Sequence, residues 1–163
     1  MSAELTIKVS LADDHKIFRD GIKMALKNKD YLKILWEAED GRDLMHKMQL
    51  KKPDVLLMDI RMPEIDGVNA IGMLRKEYDD VRIIVLTMYD DQEMITKMME
   101  MGANAYLTKT SDPEEIYQAI LACMNEDFYF NVLVNKAVLS KLQTKKAVRQ
   151  SYLNPVKFSE KET

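Results

Sequence analysis

One cysteine, Cys123, is all the chain contains, so no internal disulfide can form. That suits a reducing compartment and excludes a disulfide-stapled secreted fold. The lone thiol reads as a small buried hydrophobe on a helix. There are two histidines, His15 and His46, and they are not spaced as a metal-binding pair. No apolar run approaches the ~20 residues of a membrane span, and no signal-peptide pattern opens the sequence. The expected setting is cytoplasmic. Internal repeats and low-complexity segments are absent as well.

What remains is ordinary for a soluble domain: 163 residues, 47% hydrophobic and 31% charged, enough for one full core and some surplus. The net charge of −3 hides an asymmetry. Residues 131–163 hold seven Lys and Arg against two acids, whereas residues 1–130 hold 17 against 25. An acidic body of this kind is not expected to bind nucleic acid itself.

Leu5, Ile7, Val9 and Leu11 alternate with polar residues and predict a first strand, followed at once by Asp13 and Asp14. Residues 15–28 have helical spacing through Phe18, Ile22, Ala25 and Leu26. Residues 32–36 predict a strand and 41–50 a helix, which Pro53 closes. Val55 to Met58 is an unbroken apolar run, the mark of a strand covered on both faces, and it runs into Asp59. A helix over 66–77 and a strand over 83–86 ending at Thr87 come next. Asp90 or Asp91 caps a helix that stops at Gly102. Residues 105–107 predict a fifth strand, followed by Thr108 and Lys109. Asp112-Pro113-Glu114-Glu115 then starts a fifth helix, with proline at its first position.

Strands alternating with helices through short connections predict a doubly wound, flavodoxin-like α/β sandwich with parallel strand order 2-1-3-4-5. In such sheets ligands bind at the carboxyl ends of the strands. Asp13, Asp14, Asp59, Thr87 and Lys109 all fall there. Clustered carboxylates repel one another unless a cation joins them. With oxygen ligands only, that cation is expected to be a hard ion such as Mg²⁺. A metal, a lysine and a hydroxyl around one carboxylate suit phosphoryl transfer, with Asp59 as nucleophile.

These residues, with I-R-M-P-x-x-D-G after Asp59 and Gly102-Ala103-x-Ala105-Tyr106-Leu107-x-Lys109, resemble the receiver domain of two-component response regulators over residues 4–124. The resemblance implies that Asp59 accepts phosphate from a sensor histidine kinase. It implies that Asp14, Asp59 and the backbone carbonyl of Arg61 bind Mg²⁺, with Asp13 acting through water. It pairs Lys109 with the phosphoryl oxygens and makes Thr87 and Tyr106 the switch. Arg61 and Tyr89 flank the site and are expected to tune the phosphoryl lifetime. Where much of the family has proline, this chain has Thr110. Met88 is larger than the usual residue beside Thr87, and is expected to narrow access. His15 reads as a capping or surface residue at a helix start.

Residues 131–149 predict a further helix, with Val134, Val138 and Leu142 on one face. The expected organisation is a receiver at 1–127, a linker helix at 128–155, and at 156–163 the start of a truncated output domain. Ser159 and Glu162 form a capping box there, and Phe158 to Glu162 is similar to the opening of a LuxR-type helix-turn-helix. H-K-I-F-R-D-G (15–21) and L-T-M-Y-D-D (86–91) resemble the same NarL/LuxR class. The implied function is phosphorylation-controlled transcription regulation, with DNA contacted only through the missing output part. Dimerisation through the first and fifth helices, or through the fourth-helix face, is implied too. No membrane contact is expected, and no turnover of an external substrate. The alternatives are a single-domain relay, a flavin binder, or a Mg²⁺-dependent phosphohydrolase. The flavin binder lacks a phosphate loop after the first strand, and the hydrolase would want an acid where Arg61 stands.

Overall fold

The structure is a computed structural model that describes residues 6–153, with backbone alone at 65 and 147–153. Its main sheet is built from β1 (Ile7–Ala12), β2 (Leu32–Ala38), β3 (Val55–Met58), β6 (Arg82–Thr87) and β7 (Ala105–Thr108). All neighbours are parallel, in the order β2-β1-β3-β6-β7. Counting these five alone gives the expected 2-1-3-4-5. The gap in numbering is a hairpin outside the sheet, β4 (Arg61–Met62) against β5 (Ile65–Asp66), which the sequence reading did not foresee.

Six helices complete the described chain: α1 (Lys16–Leu26), α2 (Gly41–Leu50), α3 (Gly67–Glu77), α4 (Gln92–Met101), α5 (Pro113–Glu126) and α6 (Val132–Leu153). The unbroken apolar run of β3 has a plain cause. Val55 and Leu57 pack with α1 and α5, while Leu56 and Met58 pack with α2, α3 and α4 on the other side. The adjacent strand β6 divides the same way, Ile84 and Leu86 facing α5 while Ile83 and Val85 face α3 and α4. Alternate side chains of a strand point to opposite faces, so a strand covered twice has no polar side.

The local signals act as the residues dictate. Asp40 caps α2 by accepting from Asp43 N (2.8 Å), and Asp91, not Asp90, caps α4 by accepting from Met94 N (2.7 Å). Gly102 ends α4 at φ +122°, a conformation other residues avoid. Pro113 opens α5, although the Asp112 side chain makes no capping bond. Cys123 is buried on α5, and burial pushes its thiol up to about 12.

α6 lies against α4 and β7. It buries Val134 and Ala137, whereas Val138 and Leu142 are exposed. The packed face is therefore a narrow i, i+3 pair rather than the expected stripe through 134, 138 and 142. Thr96 Oγ1 donates to Ala137 O (3.4 Å), and Lys141 pairs with Glu100 (2.6 Å). The capping box at Ser159 and the Phe158 segment lie outside the described residues. Among the described residues no helix is long and apolar enough to cross a membrane.

Candidate functional site

Register brings the acids together. Ala12 of β1 pairs with Met58 of β3, so the next residue of each strand is an aspartate. Asp59 N donates to Ala12 O (2.9 Å) and Asp13 N to Ala38 O (2.9 Å), which carries the ladder one step past the strand ends. On the other side, Thr87 pairs with Thr108, and Lys109 N donates to Thr87 O (2.7 Å). Asp13, Asp59, Thr87 and Lys109 thus leave four strands at one end of the sheet.

Asp13 is 4% exposed and Asp59 5%. Between them sits the Lys109 ammonium, 2.6 Å from Asp13 Oδ2 and 2.9 Å from Asp59 Oδ2. The Asp13 contact is ionic rather than a well-aimed hydrogen bond, since Oδ2 has no partner at hydrogen-bonding angles. Burial disfavours the Lys109 charge, but the two carboxylates outweigh it and hold its pKa above the usual lysine value. The Phe18 ring lies 4.6 Å from the ammonium. Thr87 Oγ1 is fully buried with no partner among the described residues, an uncommon and costly state for a hydroxyl. Ser10 Oγ on β1 is buried the same way, and nothing in the structure explains it.

Asp14 is more open, and His15 more so. The His15 ring does not cap α1. Its Nδ1 stands 3.1 Å from Asp13 Oδ1 and 3.2 Å from Asp14 Oδ1, and 3.3 Å from Lys109 Nζ. Ligand atoms of Asp13, Asp14, His15 and Asp59 all lie within 4.8 Å of one another, close enough to hold a metal ion. Sequence gave His15 no part in this cluster. Its position directly after two acids was the available signal.

The loop after Asp59 folds back tightly. Arg61 N donates to Asp59 Oδ1 (3.1 Å). Gly67 N donates to Ile60 O (2.9 Å), and a Cβ on Gly67 would lie 2.5 Å from Ile60 Cα, so this turn requires glycine. The Arg61 guanidinium stacks on Tyr89 at 4.0 Å, which places the two expected flanking residues against each other. Tyr106 is fully buried, and its hydroxyl donates to the Tyr89 backbone carbonyl. Burial, with Asp91, Asp90 and Asp59 nearby, raises its phenol well above the ordinary value. Met88 is largely exposed. No peptide among the described residues is cis, so the bond from Lys109 to Thr110 is trans.

Two residues that the sequence reading passed over hold Asp13 from behind. Arg19, on the inner face of α1, donates through Nη1 to the Asp13 backbone carbonyl and through Nε to Glu37 Oε1 (2.9 Å). Glu37 also pairs with Lys23 (2.5 Å). A shift of register in β1–β2 sets Glu37 opposite Leu11, where it can meet α1.

Comparison with known proteins agrees with this geometry. The family model "Response regulator receiver domain" matches residues 9–121. The transcriptional regulatory protein YdfI of Bacillus subtilis is 33% identical over 156 residues, covering 95% of this chain and 71% of that protein. DegU of Brevibacillus brevis is 35% identical over 117 residues, covering 72% of this chain and 50% of its own length. The chain spans from about half to 71% of the full length of such relatives. The crystal structure of a LuxR-family response regulator from Aurantimonas sp. SI85-9A1 superposes with a TM-score of 0.77 at 28% identity, over 83% of this chain and 97% of that one. A sheet whose strand ends gather three aspartates, a threonine and a lysine, in a chain that this model matches over most of its length, makes the protein a member of the response regulator receiver domain family.

Proposed function

We propose that this chain is the phosphoacceptor module of a two-component system, with Asp59 taking a phosphoryl group from the phosphohistidine of a sensor kinase. An Asp59 carboxylate oxygen attacks phosphorus and the P–N bond breaks as the acyl P–O bond forms; the bonding pair stays on the leaving nitrogen, and the ring departs as neutral imidazole with the proton its other nitrogen already carries. The observation that carries this reading is the buried Lys109 ammonium shared by Asp13 and Asp59, beside the unpartnered Thr87 hydroxyl. A fixed cation and a free donor are what three phosphoryl oxygens need. Lys109 neutralises one of them, and Thr87 donates to another.

The donor set also suits a hard divalent ion. Asp14, Asp59 and the Arg61 carbonyl would hold Mg²⁺, with Asp13 acting through water. When bound, the ion supplies positive charge against the acids and the phosphoryl oxygens. No acid stands two places after Asp59, and the Arg61 side chain is engaged on Tyr89. That favours a slowly cleared adduct over hydrolytic turnover.

Relatives named as transcriptional regulatory proteins support a reading of the output. We infer that the domain works in a cytoplasmic transcription regulator whose DNA contacts belong to a separate helix-turn-helix part, with residues 128–155 as the link. The α4 face is partly taken by α6, so phospho-dependent pairing of two copies is assigned to α1 and α5, with Ile17 and Met24 of α1 exposed. Sedimentation with and without beryllofluoride should show the heavier species only with it. An unchanged mass removes the pairing.

Intact mass spectrometry after incubation with acetyl phosphate and Mg²⁺ tests the central claim. One phosphoryl adduct is expected on the wild type and none on Asp59→Asn. Equal modification of both would end the assignment.

A further inference from the structure

His15 faces more acid than one ring proton can serve. Its Nδ1 stands 3.1 Å from Asp13 Oδ1 and 3.2 Å from Asp14 Oδ1. A single N–H aims at one of these oxygens, whereas a divalent ion binds both. An ion with bonds of about 2.1 Å sets neighbouring ligand atoms about 3.0 Å apart in an octahedron and about 3.4 Å apart in a tetrahedron. Both His15 distances fall between those values. The His15 backbone N–H also donates to Asp13 Oδ1 (2.8 Å), which keeps the ring beside the acid. The inner oxygens are committed elsewhere. Asp13 Oδ2 and Asp59 Oδ2 hold Lys109, and Asp59 Oδ1 accepts from Arg61 N. The outer set of Asp13 Oδ1, Asp14 Oδ1 and His15 Nδ1 opens to solvent, with the His15 side chain 65% exposed.

We infer that His15 makes this a site for a borderline divalent ion such as Zn²⁺, held by His15 Nδ1, Asp13 Oδ1 and Asp14 Oδ1 in competition with Mg²⁺. This rests on the reading of the acids as a cation site and adds a second class of ion to it. Mg²⁺ keeps to oxygen ligands, so His15 is idle towards it. Imidazole suits Zn²⁺ and its transition-metal neighbours, and one nitrogen among the donors turns the preference their way. The ring binds through the Nδ1 lone pair, in the tautomer that carries its proton on Nε2. Three protein ligands leave the fourth place to water, as in open rather than closed zinc sites. Both ions need Asp14, so each excludes the other. The zinc-loaded chain holds Asp13 directly, where Mg²⁺ meets it through water. Cys123 is buried and takes no part, and the described residues gather no second group of three such donors.

Calorimetric titrations of the full chain with Zn²⁺ alone and Mg²⁺ alone, at one fixed pH, test this on wild type and His15→Ala. Wild type should bind one Zn²⁺ per chain, more tightly than Mg²⁺, and excess Mg²⁺ should weaken the apparent Zn²⁺ affinity. His15→Ala should lose roughly a hundredfold in Zn²⁺ affinity, since a direct ligand counts for at least as much as the outer-layer groups whose loss costs about 10–100-fold. Its Mg²⁺ affinity should stay within about threefold of wild type, because that ion takes oxygen. Proton–nitrogen correlation spectra of the two imidazoles give a second readout on wild type. Zn²⁺ should move the His15 Nδ1 resonance and leave His46 in place, and Mg²⁺ should leave both as free rings. That arm decides by itself if the variant does not fold. Equal Zn²⁺ affinity in the two proteins, Zn²⁺ binding that Mg²⁺ does not weaken, or an unmoved His15 Nδ1 overturns the inference alone. Wild type that binds neither ion overturns the cation site and the inference with it. No arm uses a phosphoryl donor, so the phosphoacceptor assignment is decided separately, by its own mass measurement.

Discussion

Arg19 does its work through another residue's backbone. Its guanidinium is buried, anchored by Glu37, and bonded to the carbonyl of Asp13, so the first acid of the pair is fixed without its carboxylate being used. In the proposed site Asp13 meets Mg²⁺ through water, and outer-layer groups of a metal site commonly change metal affinity by about 10–100-fold when removed. Arg19→Gln is therefore expected to weaken Mg²⁺ binding by roughly tenfold and to lower stability by about 2 kcal/mol, the order of one charge-assisted hydrogen bond. Calorimetric Mg²⁺ titration and thermal melts measure the two effects separately. Unchanged Mg²⁺ affinity in a folded variant would show that Arg19 serves packing only. In the sequence, Arg19 reads as one more charge on a helix, because nothing local shows which face of α1 meets the end of β2. Asp59 and Lys109 were legible for the opposite reason: Asp59 directly, and Lys109 one residue later, follow an apolar run whose end fixes the position.

The segment from β3 to α3 shows how an element can be set by one missing side chain. Gly67 closes against Ile60, and added atoms there meet backbone, which cannot turn aside as a side chain can. Gly67→Ala is expected to cost about 2 kcal/mol, as overpacking does, and to lower the melting temperature by roughly 4–8 °C for a chain of this size. A melt within a degree of wild type would mean that the loop has slack. Between those two residues lies the β4–β5 hairpin, which the sequence hid because two-residue strands are too short for alternation to register. α6 was legible as a helix but not as a docked one. Its buried positions, Val134 and Ala137, include an alanine that pattern reading passes over, while the larger Val138 and Leu142 face outward.

For the molecule as a whole, the sheet order followed from counting, since short connections and right-handed crossovers leave few topologies. Which helix covers which strand did not, because every strand end looks alike until the register is known. Cys123 illustrates what the finished packing does to a reactive group. Its thiol is sealed beneath α5, donating weakly to the Asn104 carbonyl at 3.7 Å, and desolvation holds it in the neutral form. Thiol reagents will therefore find nothing to modify until α5 lifts from the sheet. The native protein carries its own clock for global opening, read from the rate at which an alkylating agent is consumed. It is also a silent background on which a cysteine introduced at the surface can be labelled alone.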